Sequence, residues 1–258
     1  MQIESRKSEK VKQYCRLVSS KKARQQAHCF PLEGLRLCMD ALQSGYAIEQ
    51  LFVTQHAFQK STADVEALQT AAKQSFFVSD DVADKMADTV TTQGVFCVVQ
   101  SKVQKATPEL VKGARYVALD CVQNPANLGA IARTAEALGL QGLIIQDGCD
   151  MYNPKAQRAA MGSLLRIEVQ QTEDLAALLK AAPKEMLTFS TVPDATAKDI
   201  RTLDCSGGAV AVIGNEGNGV SAAVLEATRE RVTIPMQGRA ESLNAAVAAT
   251  ITMWEMMR

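Results

Sequence analysis

The sequence predicts an α/β protein, with a carboxyl-terminal domain built on a mostly parallel sheet and a small α/β domain ahead of it. Three observations carry this expectation. Beyond residue 114, short apolar stretches alternate with segments of helical length, the pattern of strands covered on both faces by helices. Ahead of that region fewer elements alternate. Between the two runs SKVQKATPELVKGA, Ser101 to Ala114, which is polar and contains Pro108 and Gly113; its composition marks a linker. The expected domains are therefore residues 1–105 and 106–258.

In the first part, LEGLRLCMDALQSG has apolar residues at helical spacing (Leu32, Leu35, Leu37, Met39 and Leu42) and ends on Gly45, a helix terminator. IEQLFVT reads as a strand, VEALQTAAKQS as a second helix and GVFCVVQ as a second strand. In the second part the units follow in order: strand YVALDCV, helix NLGAIARTAEALG, strand LIIQD, helix NPKAQRAAMGS, helix EDLAALLKAA, strand MLTFSTV, strand AVAVIG, helix SAAVLEATRE, strand RVTIP and a final apolar helix. In such sheets ligands bind beyond the carboxyl ends of the strands, so the loops there are the candidate site.

At 258 residues and 47% hydrophobic, the chain can bury a large core. No apolar run approaches the roughly 20 residues of a membrane helix, and the charged stretch MQIESRKSEKVK precedes no signal-like apolar segment, so a cytoplasmic protein is expected. Seven scattered cysteines with no CxxC pair read as reduced, buried thiols. With His28 and His56 as the only histidines, neither a metal site nor a Cys-His nucleophile is expected. The net charge of zero conceals an asymmetry: residues 1–30 hold eight Lys or Arg against two acids, leaving 20 against 26 in the remainder. A solvated charged helix accounts for this run, and so does an arm for a polyanion such as RNA, with Lys21, Lys22 and Arg24 as its contacts.

Three loops stand out. In QNPANLGAIARTAEALG, Asn127 is placed to cap a helix from Leu128, and Arg133 lies among Ile131, Ala132 and Ala135. An i, i+3 ion pair with Glu136 would explain Arg133; a guanidinium held for a phosphate or a nucleophilic oxygen would explain it equally. In AVAVIGNEGNGVS a strand runs into Gly214, Gly217 and Gly219, spaced G-x-x-G-x-G, with Glu216 inside the loop. Neither dinucleotide nor Walker spacing is met, and the acid would repel a pyrophosphate. A phosphate-free cofactor with a positive centre, such as S-adenosylmethionine, suits it better. In IPMQGRAESLNAAVAA, Ser242 is placed to cap a helix from Leu243, which leaves Asn244 in the first turn facing the sheet's end.

NPANLGAIARTAEALG, GNEGNGVS and IPMQGRAESLNAAVAA, in this order and spacing, resemble the three signature motifs of the SpoU or TrmH branch of the SPOUT RNA methyltransferases over roughly residues 115–258. MYNPKAQRAAMGSLLRIEV resembles the family's segment between the first two motifs. KARQQAHCFPLEGLRLCMDAL and TQGVFCVVQ are similar to an L30e-like substrate-binding domain. The resemblance implies a carboxyl-terminal trefoil-knot domain, S-adenosylmethionine as methyl donor, a homodimer, and 2′-O-methylation of a ribose in structured RNA, ribosomal RNA being preferred to transfer RNA. It implies cofactor contacts around Gly214, Asn215, Gly219, Ile234, Met236 and Leu243. Arg133, Asn127, Glu216, Ser242 and Asn244 match the residues around the reacting groups, with Arg133 also placed on RNA phosphate. An arginine is protonated far above neutrality, so positioning suits Arg133 better than proton removal. The motif-three tail SLNAAVAA departs from relatives that carry Val and Ser after the Asn. A silent RNA-binding protein of the same fold remains an alternative, while glycine spacing and Glu216 disfavour a dinucleotide enzyme.

Overall fold

The computed structural model describes residues 2–102 and 108–258; the expected boundary after residue 105 lies outside the described residues. In chain order the elements are β1 (Gln2–Ile3), α1 (Glu9–Ser19), α2 (Lys21–Ala27), β2 (Cys29–Glu33), α3 (Leu35–Gln43), β3 (Ile48–Thr54), α4 (Gln55–Lys60), α5 (Thr62–Ala71), β4 (Gln74–Val78), α6 (Asp80–Met86) and β5 (Val95–Gln100). Then follow β6 (Arg115–Asp120), α7 (Pro125–Ala137), β7 (Gly142–Gln146), α8 (Pro154–Ala160), α9 (Ser163–Arg166), β8 (Glu168–Thr172), α10 (Leu175–Lys180), β9 (Leu187–Thr191), β10 (Lys198–Asp199), β11 (Ala209–Ile213), α11 (Ala222–Ala227), β12 (Glu230–Thr233) and α12 (Ala245–Met256). The chain divides into two compact units, residues 1–102 with 152–165, and residues 103–151 with 166–258. The segment resembling the family's inter-motif stretch thus packs largely within the first unit, where the Tyr152 ring stacks on Phe30 at 4.2 Å.

The first unit holds a five-stranded mixed sheet, ordered β1-β4-β3-β5-β2. Its strands outnumber the two expected. Leu32, assigned from periodicity to a helix, lies on β2 opposite Cys97, and the helix begins only at Leu35. Gln74 and Ser75, read as a helix end, begin β4. Along α1, Val11, Tyr14 and Leu17 turn inward, and the Tyr14 ring meets Phe52 and Phe96 edge-on at 6.0 and 5.6 Å. The buried Tyr14 hydroxyl donates to Leu32 O at 3.2 Å, which satisfies the one polar atom that this ring brings into the core.

The basic arm divides accordingly. Arg6 pairs with Asp81, Lys12 with Glu9, and Lys10 donates to Gln74. Lys7, Arg16 and Lys22 are exposed and make no side-chain hydrogen bond or ion pair among the described residues, while Lys21 is exposed too. Arg24, expected among the RNA contacts, turns inward. It is 5% exposed, and its guanidinium donates to Leu17 O at 2.6 Å and Val18 O at 3.2 Å. Those carbonyls belong to the last turn of α1, where helical partners run out and a cation complements the helix dipole.

The second unit holds seven strands, ordered β10-β12-β9-β11-β6-β7-β8, parallel at every pairing. The polar strands β8 and β10 carry too little apolar periodicity to be read from sequence. Central β11 is buried throughout, and its side chains alternate between two cores. Val210 and Val212 join Tyr116, Ala118, Leu175, Leu179 and Val224 on one face. Ala209 and Ala211 join Phe189, Val232 and Met256 on the other. Helices thus cover both faces, as a parallel sheet requires. The helix expected over 153–163 breaks into α8 and α9 at Met161 and Gly162, both with positive φ. Three of the cysteines, Cys38, Cys97 and Cys205, are buried and the other four are half-buried; all are free. Among the described residues no helix is long and apolar enough to cross a membrane, and no group of three or more His, Cys, Asp or Glu could hold a metal ion.

The placement of Arg24 makes a specific prediction. Arg24→Ala leaves two buried carbonyls without their charged donor and should destabilise the protein by about 2 kcal/mol, read from urea unfolding, with RNA affinity unchanged. Weakened RNA binding at an unaltered unfolding midpoint would restore the contact role.

Candidate active site

The site is assembled at the carboxyl ends of β6, β11 and β12, in the second unit. β6 ends at Asp120, and α7 starts at Pro125 after Asn124, whose side-chain oxygen accepts from Ala126 N at 2.8 Å. The expectation that Asn127 caps this helix is therefore corrected: Asn124 is the cap and Pro125 occupies the first helical position, where a missing N–H costs nothing. The Asn-Pro dipeptide carried that signal. Asn127 is displaced into the first turn and is 5% exposed.

Its burial is explained by what it holds. Asn127 Nδ2 donates to Glu216 Oε1 at 2.8 Å, and its Oδ1 accepts from Asn244 Nδ2 at 3.1 Å. Glu216 also accepts from Gln123 N and Asn124 N, both at 3.0 Å. One carboxylate thus takes three N–H donors at the start of α7, where anions are favoured by the exposed amides and the helix dipole. Glu216 thus binds the amides that lead into α7, whose N-cap is Asn124. Partial burial pushes its carboxyl up, but the donors from Gln123, Asn127 and Asn124 outweigh this and hold it below the ordinary 4.5.

Asn244 closes the chain. It, and not Ser242, is the cap of α12: its Oδ1 accepts from Ala246 N at 2.9 Å and Val247 N at 3.4 Å. The helix begins two residues later than expected, and Ser242 is exposed with no hydrogen bond among the described residues. Three sequence-distant loops are thereby joined through Glu216, Asn127 and Asn244. Arg133 stands outside this network. It is exposed, without a hydrogen bond or ion pair among the described residues, because Glu136 is engaged by Arg166 in a two-pronged pair at 2.5 and 3.0 Å. The i, i+3 explanation for Arg133 therefore fails, and a cation is left facing solvent.

The glycine loop is stiffly built. Asn215 and Gly219 exchange both backbone hydrogen bonds at 2.9 Å, while Asn215 Oδ1 accepts from Gly217 N and Asn218 N and its Nδ2 donates to Cys121 O. The side chain of Asn215 and its backbone N–H are thus both occupied in forming the loop. A Cβ on Gly214 would collide with the backbone of Gly219 and Val220, and Gly219 itself has φ +69. Nothing lies within 4 Å of where a Cβ would stand on Gly219. Ile234, Met236 and Leu243 are half-buried near the ends of β12 and α12. An open glycine backbone, an acid in place of a lysine, and apolar side chains fit a phosphate-free cofactor such as S-adenosylmethionine.

The depressed Glu216 carboxyl has a consequence for stability. A group whose folded pKa lies below its unfolded value contributes stability above the unfolded value and loses it as pH falls through the folded one. Wild type should therefore melt above Glu216→Gln at pH 7, with the gap closing as pH is lowered from about 5 to below the folded value. A gap constant down to about pH 3 in calorimetric scans would contradict the assignment.

Comparison with known proteins identifies the family. Residues 114–254 match the SpoU rRNA Methylase family and residues 8–97 an MRM3-like substrate binding domain. The chain is 32% identical to the 23S rRNA (guanosine(2553)-2′-O)-methyltransferase RlmP of Bacillus subtilis, over 99% of this chain and 98% of that protein. It superposes on an AdoMet-bound rRNA methyltransferase from Sinorhizobium meliloti with a TM-score of 0.87 and 31% identity, covering 99% and 97% of the two chains. The SpoU methyltransferase AviRb of Streptomyces viridochromogenes, in complex with AdoMet, gives 0.85 and 25% over 97% of each chain. The chain belongs to the SpoU methylases of the SPOUT superfamily and is an S-adenosylmethionine-dependent RNA methyltransferase.

Proposed function

We propose that this enzyme methylates the 2′-hydroxyl of a single ribose in ribosomal RNA, with 23S RNA the substrate. The observation that carries this reading is the Glu216–Asn127–Asn244 network, which brings the three motif loops to one place. The relative named for a 23S guanosine, matched along nearly the whole of both chains, supports ribosomal over transfer RNA. When bound, S-adenosylmethionine supplies a methyl group on a sulfonium. The protein's task is then to hold a poor nucleophile in line and to favour the charge that develops on it. Glu216, Asn127 and Asn244 fix the walls of the site. The backbone about Gly214 and Gly219 and the side chains of Ile234, Met236 and Leu243 hold the cofactor, in the loops of the family's trefoil knot. Arg133, charged and unpaired among the described residues, holds RNA phosphate beside the ribose. Ser242, exposed and free of intramolecular bonds among the described residues, is available to the ribose.

Residues 1–105 serve as the RNA-docking domain, ahead of the catalytic domain of residues 106–258. Arg16, Lys21 and Lys22 provide exposed cations along α1 and α2. The enzyme works as a cytoplasmic homodimer. Along α12, Val247, Thr250 and Trp254 lie at i, i+3 and i+7 and are exposed, Trp254 by 61%, a stripe that a second copy would cover.

The test is transfer of labelled methyl from S-adenosylmethionine to unmodified 23S RNA and, separately, to transfer RNA, with mapping of the modified nucleotide. Label confined to one 2′-O position of 23S RNA, and reduced at least about 100-fold by Arg133→Ala with cofactor affinity retained, is expected. Label in transfer RNA alone, or full turnover by Arg133→Ala, would overturn the reading.

A further inference from the structure

Asp120 lies outside all three signature motifs, yet it is the most deeply buried carboxylate near the site, at 1% exposure. It ends β6, one residue before Cys121, whose carbonyl anchors Asn215 of the glycine loop. Both Asp120 oxygens are used. Oδ2 accepts from Ser221 N at 2.7 Å, at the far end of that loop, and Oδ1 accepts from Gln146 Nε2 at 3.1 Å. Gln146, at the end of neighbouring β7, in turn accepts with Oε1 from Leu175 N at 2.5 Å, at the start of α10.

The polarity of this relay is forced. Leu175 N–H and Ser221 N–H can only donate, so the two side chains between them must present an acceptor at each end. One amide and one carboxylate meet that requirement, and with Gln at 146 and Asp at 120 the amide nitrogen of Gln146 has to point at Asp120. An amide at both positions would place a donor against a donor or leave a buried N–H unpaired. No other bond among those described holds Ser221 N, and the loop from Gly214 to Ser221 is thus held at one end by Asn215 and at the other by Asp120.

We propose that Asp120 is a positioning residue for the cofactor loop, and that the Leu175–Gln146–Asp120–Ser221 relay fixes where that loop sits. This rests on the reading of Gly214–Ser221 as the cofactor loop. Asp120 touches no reacting atom in this account; it acts by setting the loop's far anchor, so its loss weakens cofactor binding and spares the chemical step.

The relay supplies its own rescue. In Asp120→Asn the new amide faces the amide of Gln146. Adding Gln146→Glu gives a carboxylate that accepts both from this new amide and from Leu175 N, and the order of donors and acceptors is restored in reverse. Ser221→Pro removes the same bond from the exposed end, at a residue whose φ of −64 suits proline. S-adenosylmethionine affinity by titration calorimetry, thermal midpoints, kcat and KM would be measured for each. Asp120→Asn and Ser221→Pro should each weaken cofactor binding about tenfold, about 1.4 kcal/mol, with kcat at saturation within about twofold of wild type. Asp120→Asn with Gln146→Glu should recover most of that affinity. The proposal is overturned if affinity in Asp120→Asn and Ser221→Pro matches wild type, if the double variant binds no better than Asp120→Asn alone, or if kcat falls in parallel with the melting point. Gly214→Ala separates the two levels. If it loses affinity while Asp120→Asn does not, the role of Asp120 fails alone; if neither loses affinity, the cofactor-loop reading fails with it.

Discussion

A single carboxylate organises the catalytic unit. Glu216 sits in a loop that follows β11, yet all three of its donors, Gln123 N, Asn124 N and Asn127 Nδ2, come from the start of α7, far earlier in the chain. A helix start has amides without partners, and a loop acid has a charge without a counterion. Each supplies what the other lacks. Because Asn127 is held this way, its remaining oxygen is free to accept from Asn244, and the start of α12 is drawn to the same place. An apolar residue at 127 could not serve, since Asn127 must donate and accept in opposite directions, while Asn244 donates to it from its amide nitrogen and caps its own helix with its amide oxygen.

The parallel sheet makes this convergence available. β6 and β11 are neighbours in the order β9-β11-β6-β7, so the loops leaving their carboxyl ends emerge side by side although their sequences are distant. The two apolar cores on either face leave the strands no freedom to slip, since a shift of one residue would send Val210 and Val212 to the face that Ala209 and Ala211 occupy. The short side chains on the latter face admit α12, with Met256 in that core. Packing thus fixes the strands, the strands fix the loop origins, and a few polar side chains fix the loops.

Much of this was legible in the sequence, and the exceptions have physical causes. The apolar strands of the second unit and the helices between them stand out because burial on both faces makes the strands continuously apolar. Strands β2, β4 and β8 do not, because a half-exposed or edge strand carries mixed side chains; Leu32 also satisfied a helical spacing by accident. Asn127, Glu216 and Asn244, singled out in three separate segments, meet in the fold, but two caps were misplaced. Asn127 and Ser242 have the right chemistry for an N-cap, and local rules cannot see that Asn124 and Asn244 satisfy the same need while Asn127 is claimed by a residue 89 positions away. The inward turn of Arg24 was invisible for the same reason, since a basic run does not reveal which cation is buried. Asp120 could have been suspected as an acid ending an apolar strand, but its partners on other loops appear only in the fold.

If the three loops act as one unit through Asn127, then Glu216 and Asn244 are energetically coupled, and a double-mutant cycle between them measures that coupling. These residues do not bond each other, so any coupling between them must pass through Asn127. Measured on kcat/KM for methyl transfer with Glu216→Gln and Asn244→Ser, the losses should be non-additive by about 1 kcal/mol or more. Additive losses, within about 0.3 kcal/mol, would mean that the loops meet without acting together.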